Sequence, residues 1–175
     1  AMVGTKDGYD APPMALSGAG SLLLVGGTDD EPALGGSELL ARLGGSDRFP
    51  ELPTNPGELI ETIATVADFE STHATHDVSH GGLAVALAEM LTEDAGAAVS
   101  VDDPSTLFDE QPGRVVIETT DPDAVRAAFE DVAPVSELGV SDDTGALSVD
   151  AGMESLRVSA TSLAELRSVI EAELA

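Results

Sequence analysis

The chain has 175 residues, which suits one domain large enough to bury about 70% of the surface that its unfolded form exposes. It has no cysteine, which excludes disulfides, thiolate zinc sites and cysteine nucleophiles. Its 33 Asp and Glu residues outnumber its 7 Lys and Arg residues, and the formal net charge of −26 repels nucleic acid phosphates and anionic membranes. No apolar run approaches the roughly 20 residues of a membrane span, and no signal peptide is visible. We therefore expect a cytoplasmic protein with neither nucleic acid nor membrane as a partner.

The acidic composition has three interpretations. It can indicate disorder, but a hydrophobic content of 42% with clear periodicity argues against disorder. It can form a surface that imitates nucleic acid. It can also be an adaptation to a salty cytoplasm, where surface carboxylates are screened and keep the protein hydrated. Because the acids are spread along the chain and Lys6 is its one lysine, we favour salt adaptation.

The pattern of apolar residues predicts one domain of alternating strands and helices. Residues 1–20 carry Gly, Pro and Ser without a period and are predicted to be a linker or an artificial start, which leaves residues 21–175 as the domain. The predicted strands are 21–25, 74–78, 97–101, 115–118, 135–140 and 146–149. The predicted helices are 37–40, 56–69, 83–91, 122–132 and 162–174. This alternation is typical of an α/β or α+β layered domain.

Capping signals mark the starts of three predicted helices. Asn55 precedes proline and stands three residues before a glutamate, and Asp121 also precedes proline. Ser162 and Glu165 form the pattern of a capping box, so the last helix is predicted to begin there.

The turn between the predicted strand 74–78 and helix 83–91 has the pattern of an anion site. A strand that ends in Ser-His-Gly-Gly and continues as a helix leaves backbone N–H groups free at the positive end of the helix dipole. Phosphate or carboxylate could bind there, or Gly81 and Gly82 could simply allow a tight turn and close packing. The turn of Gly35, Gly36 and Ser37 repeats this pattern more weakly.

Four polar residues near these turns are candidates for function. Asp77 could act as a general base or cation ligand, or accept hydrogen bonds from the turn. Ser79 could cap the helix or contact a phosphate, and no activating base for a nucleophile stands at a readable spacing. Glu110 and Arg114 flank a Pro-Gly turn before a strand. Arg114 could clamp a substrate phosphate or pair with a nearby carboxylate.

The three histidines, His73, His76 and His80, are spaced as metal ligands on a helix sometimes are. Because the segment is predicted as a strand, the first two would point to opposite faces, and no metal site is predicted. No Walker-type or GxGxxG nucleotide motif is present.

Three segments, which follow one another along the chain as 34–40, 76–90 and 107–115, together resemble one family. Residues 76–90 (HDVSHGGLAVALAEM) are similar to the D-x-S-x-G-G-L-x-x-x-L-x-E-M segment of phosphoribosylformylglycinamidine synthase, synthetase subunit. Residues 34–40 (LGGSELL) resemble its L-G-G-S-E-Y-L segment, and residues 107–115 (LFDEQPGRV) resemble its L-F-S-E-S-x-x-R segment. The similarity covers roughly residues 20–175. Residues that differ from those common in the family are Leu39, His80 and Asp109.

The resemblance implies the C-terminal domain of an aminoimidazole ribonucleotide synthetase-like half, with a layered α/β/α sandwich and a mixed sheet. It also implies an ATP- and Mg²⁺-dependent reaction of purine synthesis in a halophile. In that reaction the formamide oxygen of formylglycinamide ribonucleotide is phosphorylated, and ammonia from a glutaminase partner then displaces the phosphate.

The ATP and Mg²⁺ residues of this family lie mainly in its N-terminal domain, which we expect to lie outside this chain. The chain would then form the substrate side of a cleft between domains and be inactive alone. The residues expected to line or adjoin the cleft are Asp77, Ser79, Gly81, Gly82, Gly35, Gly36, Ser37, Glu110 and Arg114.

Two alternatives remain open. The chain could belong to another phosphotransfer enzyme of the superfamily, such as thiamine-monophosphate kinase. It could also be a non-catalytic acidic interaction module, which predicts a basic partner and no affinity for a ribonucleotide.

Overall fold

The computed structural model describes residues 11–27 and 31–174, with side chains described as far as Arg167. Its strands are β1 (Ser21–Val25), β2 (Thr72–Asp77), β3 (Gly96–Val101), β4 (Val115–Thr119), β5 (Val135–Asp142), β6 (Ala146–Ala151) and β7 (Glu154–Ser159). Its α-helices are α1 (Glu38–Leu43), α2 (Pro56–Ala67), α3 (Gly82–Met90), α4 (Pro122–Phe129) and α5 (Ala160–Leu174). A short 3₁₀ helix spans Pro104–Leu107. None of the helices in the described residues is long and apolar enough to cross a membrane.

The strands form one mixed sheet in the order β2-β4-β1-β5-β3-β6-β7. Of the neighbouring pairs, β3 and β6 run parallel, and the others run antiparallel. Side chains alternate between the two faces along β1, so Leu22 and Leu24 join the core beneath α3. Leu23 and Val25 join the core beneath α2 and α4. The predicted α/β/α sandwich is therefore confirmed.

The C-terminal part differs from expectation in two ways: one strand was missed, and the predicted start of the last helix is wrong. Strand β7 was not predicted, because its mostly exposed side chains lack a strong apolar alternation. The predicted capping box at Ser162 does not start the last helix, which begins at Ala160. Instead, the hydroxyl of Ser159, the last residue of β7, accepts the Ser162 N–H at 3.1 Å.

The described part of the predicted linker, residues 11–20, packs against the domain. The backbone N–H of Leu16, which is buried, donates to the Met90 carbonyl at 2.9 Å. The Thr75 N–H donates to the Pro13 carbonyl at 3.1 Å, along the outer edge of β2. This segment thus packs against the edge strand β2 and the C-terminal end of α3, and it is part of the fold.

A buried carboxylate in β4 anchors the same segment. The side chain of Glu118 has no exposed surface, and it accepts the Ser17 N–H at 2.7 Å and the Gly18 N–H at 3.1 Å. The hydroxyls of Ser17 and Ser141 also donate to it. Burial opposes its ionisation, but hydrogen bonds from Ser141, Ser17 and Ala19 outweigh burial and hold the pKa of Glu118 below its ordinary value.

Candidate functional site

The motif segments meet at one end of the sheet. Strands β1 and β2 end there and β4 and β5 begin there, because Val115 pairs with both Val25 and Asp77, and Val25 pairs with Val135. In antiparallel strands the end of one lies beside the start of the next. The turn after β2 and the loop before β4 are therefore neighbours.

The turn before α3 places two of the predicted site residues in solvent. The side chains of Asp77 and Ser79 are exposed. The helix N-cap is Gly81, with φ of 83°, and the Gly82 N–H donates to the Ser79 carbonyl at 3.0 Å. The Ser79 hydroxyl therefore does not cap the helix, and a phosphate contact for it remains a prediction.

Gly82 has a packing role. It has φ of 68°, and a Cβ there would lie 2.7 Å from the Leu107 carbonyl oxygen and 2.9 Å from that of Asp109. Only glycine allows α3 to begin this close to the backbone of the loop before β4. This contact joins the motif segments 76–90 and 107–115.

The turn before α1 is also built by close packing. The Gly35 N–H donates to the Arg48 carbonyl at 2.8 Å, and a Cβ on Gly35 would lie 2.4 Å from that oxygen. Gly36 has φ of 82°, and Ser37 is buried and accepts the Leu40 N–H at 3.3 Å. Ser37 is thus the cap of α1.

Glu110 connects the two turns. Its Oε1 atom accepts the Gly81 N–H at 3.0 Å and the Glu38 N–H at 2.7 Å. One carboxylate oxygen of segment 107–115 therefore binds the backbone of segments 34–40 and 76–90. Sequence reasoning left open an anion site or a tight turn before α3, and the structure places the protein's own Glu110 carboxylate at this turn.

Arg114 is buried and pairs with Asp109. Its Nη1 donates to the Asp109 carbonyl at 2.9 Å and lies 3.6 Å from the carboxylate oxygen Oδ2. Burial lowers the pKa of Arg114, and the nearby Asp109 carboxylate opposes this. Of the two interpretations of this arginine, pairing with a carboxylate is therefore observed.

Arg114 also lines a cavity of about 550 Å³, which we call the Arg114 cleft. The cleft lies beyond the end of β1, and its walls include Gly26, Gly27, Thr106, Gln111, Arg114 and Ser136. A Cβ on Gly26 would lie 2.1 Å from the Gly113 carbonyl oxygen, so glycine is required where the two chain segments meet. Sequence reasoning did not name Gly26 and Gly27 as site residues, although two glycines after an apolar strand were visible as a signal.

Asp77 and Ser79 face a different cavity of about 450 Å³, the Asp77 groove. His76 and Glu89 line it as well; the buried His76 ring contacts the Asp77 carbonyl oxygen through Nδ1 at 2.6 Å and lies 3.2 Å from Glu89 Oε2 through Nε2. The predicted site residues thus divide between two surfaces, with Glu110 and the glycine turns linking chain segments rather than lining one pocket.

Residues 18–152 match the family described as AIR synthase related protein, C-terminal domain. The chain belongs to this family. Among its relatives, it is 60% identical over 174 residues to phosphoribosylformylglycinamidine synthase subunit PurL of Natronomonas pharaonis, covering 97% of this chain and 24% of that protein. It is 53% identical over 184 residues to the PurL subunit of Haloarcula marismortui, covering 99% of this chain and 26% of that protein. The family resemblance inferred from the three motifs is confirmed, and the chain spans about a quarter of the length of these relatives.

Two solved structures of other proteins share the fold of this chain. Thermotoga maritima PurL complexed with FGAR has a TM-score of 0.67 at 15% identity, covering 88% of this chain and 29% of that chain. Hydrogenase maturation protein HypE in complex with ATP has a TM-score of 0.57 at 16% identity, covering 85% of this chain and 52% of that chain. At such low identity these likenesses concern the fold alone.

Proposed function

We propose that this chain is the C-terminal, substrate-side domain of phosphoribosylformylglycinamidine synthase. The observation that carries the proposal is the convergence of the three motif segments on Glu110, whose carboxylate binds the backbone of both glycine turns. Motifs that lie 29 and 72 residues from Glu110 in sequence are thereby joined in one local structure. The high identity to PurL subunits of halophiles supports the same function.

The reaction would convert formylglycinamide ribonucleotide, ATP and ammonia into the amidine in de novo purine synthesis. ATP activates the formamide oxygen by phosphorylation when it is bound with Mg²⁺. Among the side chains that the structure describes, no three from His, Cys, Asp or Glu are arranged to hold a metal ion. Following the family resemblance, we assign ATP and Mg²⁺ mainly to an N-terminal domain of the whole enzyme, and the residues of the present chain to substrate binding.

Within this domain, the Arg114 cleft is the surface that suits an anionic ribonucleotide. A guanidinium group recognises phosphate through N–H donors, and here the Arg114 guanidinium is paired with the Asp109 carboxylate, which also lines the cleft. A substrate phosphate would therefore bind beside this ion pair. Gly26 and Gly27 leave the cleft wall without side chains, and Thr106 and Ser136 offer hydroxyl groups. The substrate phosphate would bind beside Arg114, while Asp77 and Ser79 would face the second domain.

The partners of the whole enzyme follow from the same proposal. A glutaminase subunit would supply ammonia to the whole enzyme. An assembly of Thermotoga maritima named PurLQS shows that a PurL protein forms a complex in that organism. The enzyme would work in a salt-rich cytoplasm, because the relatives at 50–60% identity come from salt-loving organisms such as Haloarcula and Natronomonas. Nucleic acids and membranes would not be partners of so acidic a chain.

A nuclear magnetic resonance titration in molar potassium chloride tests the assignment of the cleft. Formylglycinamide ribonucleotide should shift the backbone amides of Gly26 and Gly27 and saturate, with a Kd on the order of 1 mM for one wall of a cleft. Arg114→Lys should weaken binding about tenfold, because lysine keeps the positive charge but lacks the planar guanidinium group and its paired N–H donors.

Arg126→Lys is the matched control, since Arg126 is a surface arginine paired with Asp123 and Glu137. It should leave the affinity unchanged. Equal binding by the Arg114→Lys protein would contradict the cleft assignment. Saturable shifts with thiamine monophosphate in place of the ribonucleotide would favour a kinase of the same superfamily, and no shifts with either would favour the acidic interaction module.

A further inference from the structure

Glu110 occupies the place that the sequence pattern offers to an external anion. Two backbone N–H groups from different turns point at the same carboxylate oxygen, at 2.7 Å from Glu38 and 3.0 Å from Gly81. Helix α3 has no side-chain cap of its own at Gly81. A negative charge at this helix start is favoured by the helix dipole and by the unsatisfied N–H groups.

Several contacts hold the loop that carries Glu110. Asp109 is buried, and its Oδ1 accepts the Gln111 N–H at 3.0 Å. The Asp109 carbonyl accepts from Arg114, and Gly82 packs directly on the loop backbone. These contacts fix the backbone of the loop, and the Glu110 side chain reaches both turns from it.

We propose that Glu110 is an internal anion and a positioning residue. Its carboxylate occupies the anion-binding position where the N–H groups of Gly81 and Glu38 converge, which we call the seat, and it fixes the two glycine turns against each other. A phosphate of the substrate is then excluded from that seat and must bind elsewhere. This inference goes beyond the proposed function, because it holds whichever ligand the domain takes.

Chemical rescue by a small carboxylate tests the proposal. In the Glu110→Ala protein, the amide protons of Gly81 and Glu38 should exchange with solvent about 10- to 100-fold faster, as expected for loss of a hydrogen bond to a charged group. Replacing part of the potassium chloride by potassium formate at constant ionic strength should slow both amides again and raise the melting temperature. The wild-type protein should not respond to formate in this way.

Two further variants keep the test decisive. Glu61→Ala removes an exposed carboxylate of α2 and should leave both amides and the formate response unchanged. Glu110→Gln keeps an acceptor oxygen without the charge, so its amides should exchange at intermediate rates without formate rescue. If Glu110→Ala does not fold, intermediate exchange in Glu110→Gln supports the proposal and wild-type exchange overturns it.

The proposal is overturned if the Gly81 and Glu38 amides keep wild-type exchange in a folded Glu110→Ala protein. It is also overturned if inorganic phosphate shifts these two amides in the wild-type protein as strongly as in the variant, because the seat would then accept an external anion.

Discussion

Glu118→Gln is expected to lower the free energy of unfolding by about 3 kcal/mol, because the glutamine NH₂ group would face N–H and O–H donors in a buried site. The carboxylate accepts from Ser17, Gly18 and Ser141, which tie residues 17–19 to β4 and β5. Thermal and urea unfolding in molar potassium chloride would measure the loss. Glu130→Gln alters an exposed glutamate after α4 and should change stability by less than about 0.5 kcal/mol. Equal stability of the two variants would contradict the anchoring role.

The pH dependence of stability should identify the same group. The pKa of Glu118 is lower in the folded protein than its ordinary value of 4.5. Its ionised form therefore stabilises the fold above that value, and the stabilisation is lost as pH falls through the lowered pKa. The Glu118→Gln protein should lose less of its free energy of unfolding as pH falls through this range, whereas the Glu130→Gln protein should lose as much as the wild type.

Dilution of salt is expected to unfold the chain. The surplus of 26 negative charges repels itself, and the Debye length grows from roughly 3 Å at 1 M salt to about 10 Å at 0.1 M. Circular dichroism should lose most of its helical signal over this dilution. Exchange of potassium chloride for sodium chloride at constant ionic strength should preserve the signal. An unchanged spectrum at about 0.1 M salt would argue against salt adaptation.

Local sequence patterns predicted most of the fold. The apolar run of β1 and the Asn55 and Asp121 caps all have local signals, and each cap side chain accepts the N–H three residues ahead. Strand β7 escaped prediction because an exposed edge strand needs few apolar residues. The segment 11–20 resembled a linker because its order depends on Glu118, about 100 residues away in sequence.

The candidate site was predictable only in its parts. The turn at Gly81 and Gly82 was found as an anion seat from spacing and helix physics. Its occupant was not, because Glu110 lies 29 residues farther along the chain and no local pattern pairs the two. The division between the Arg114 cleft and the Asp77 groove depends on which face each side chain takes at the end of the sheet. That placement is a property of the folded sheet and not of any motif.

The central claim is that this domain supplies the substrate side of an active site completed by a second domain. Its most direct test is amidine formation from formylglycinamide ribonucleotide, ATP, Mg²⁺ and ammonia in molar potassium chloride. The 175-residue chain should give no product alone and should support turnover when joined to the remaining part of a halophilic relative. Steady product formation by the chain alone would contradict the claim.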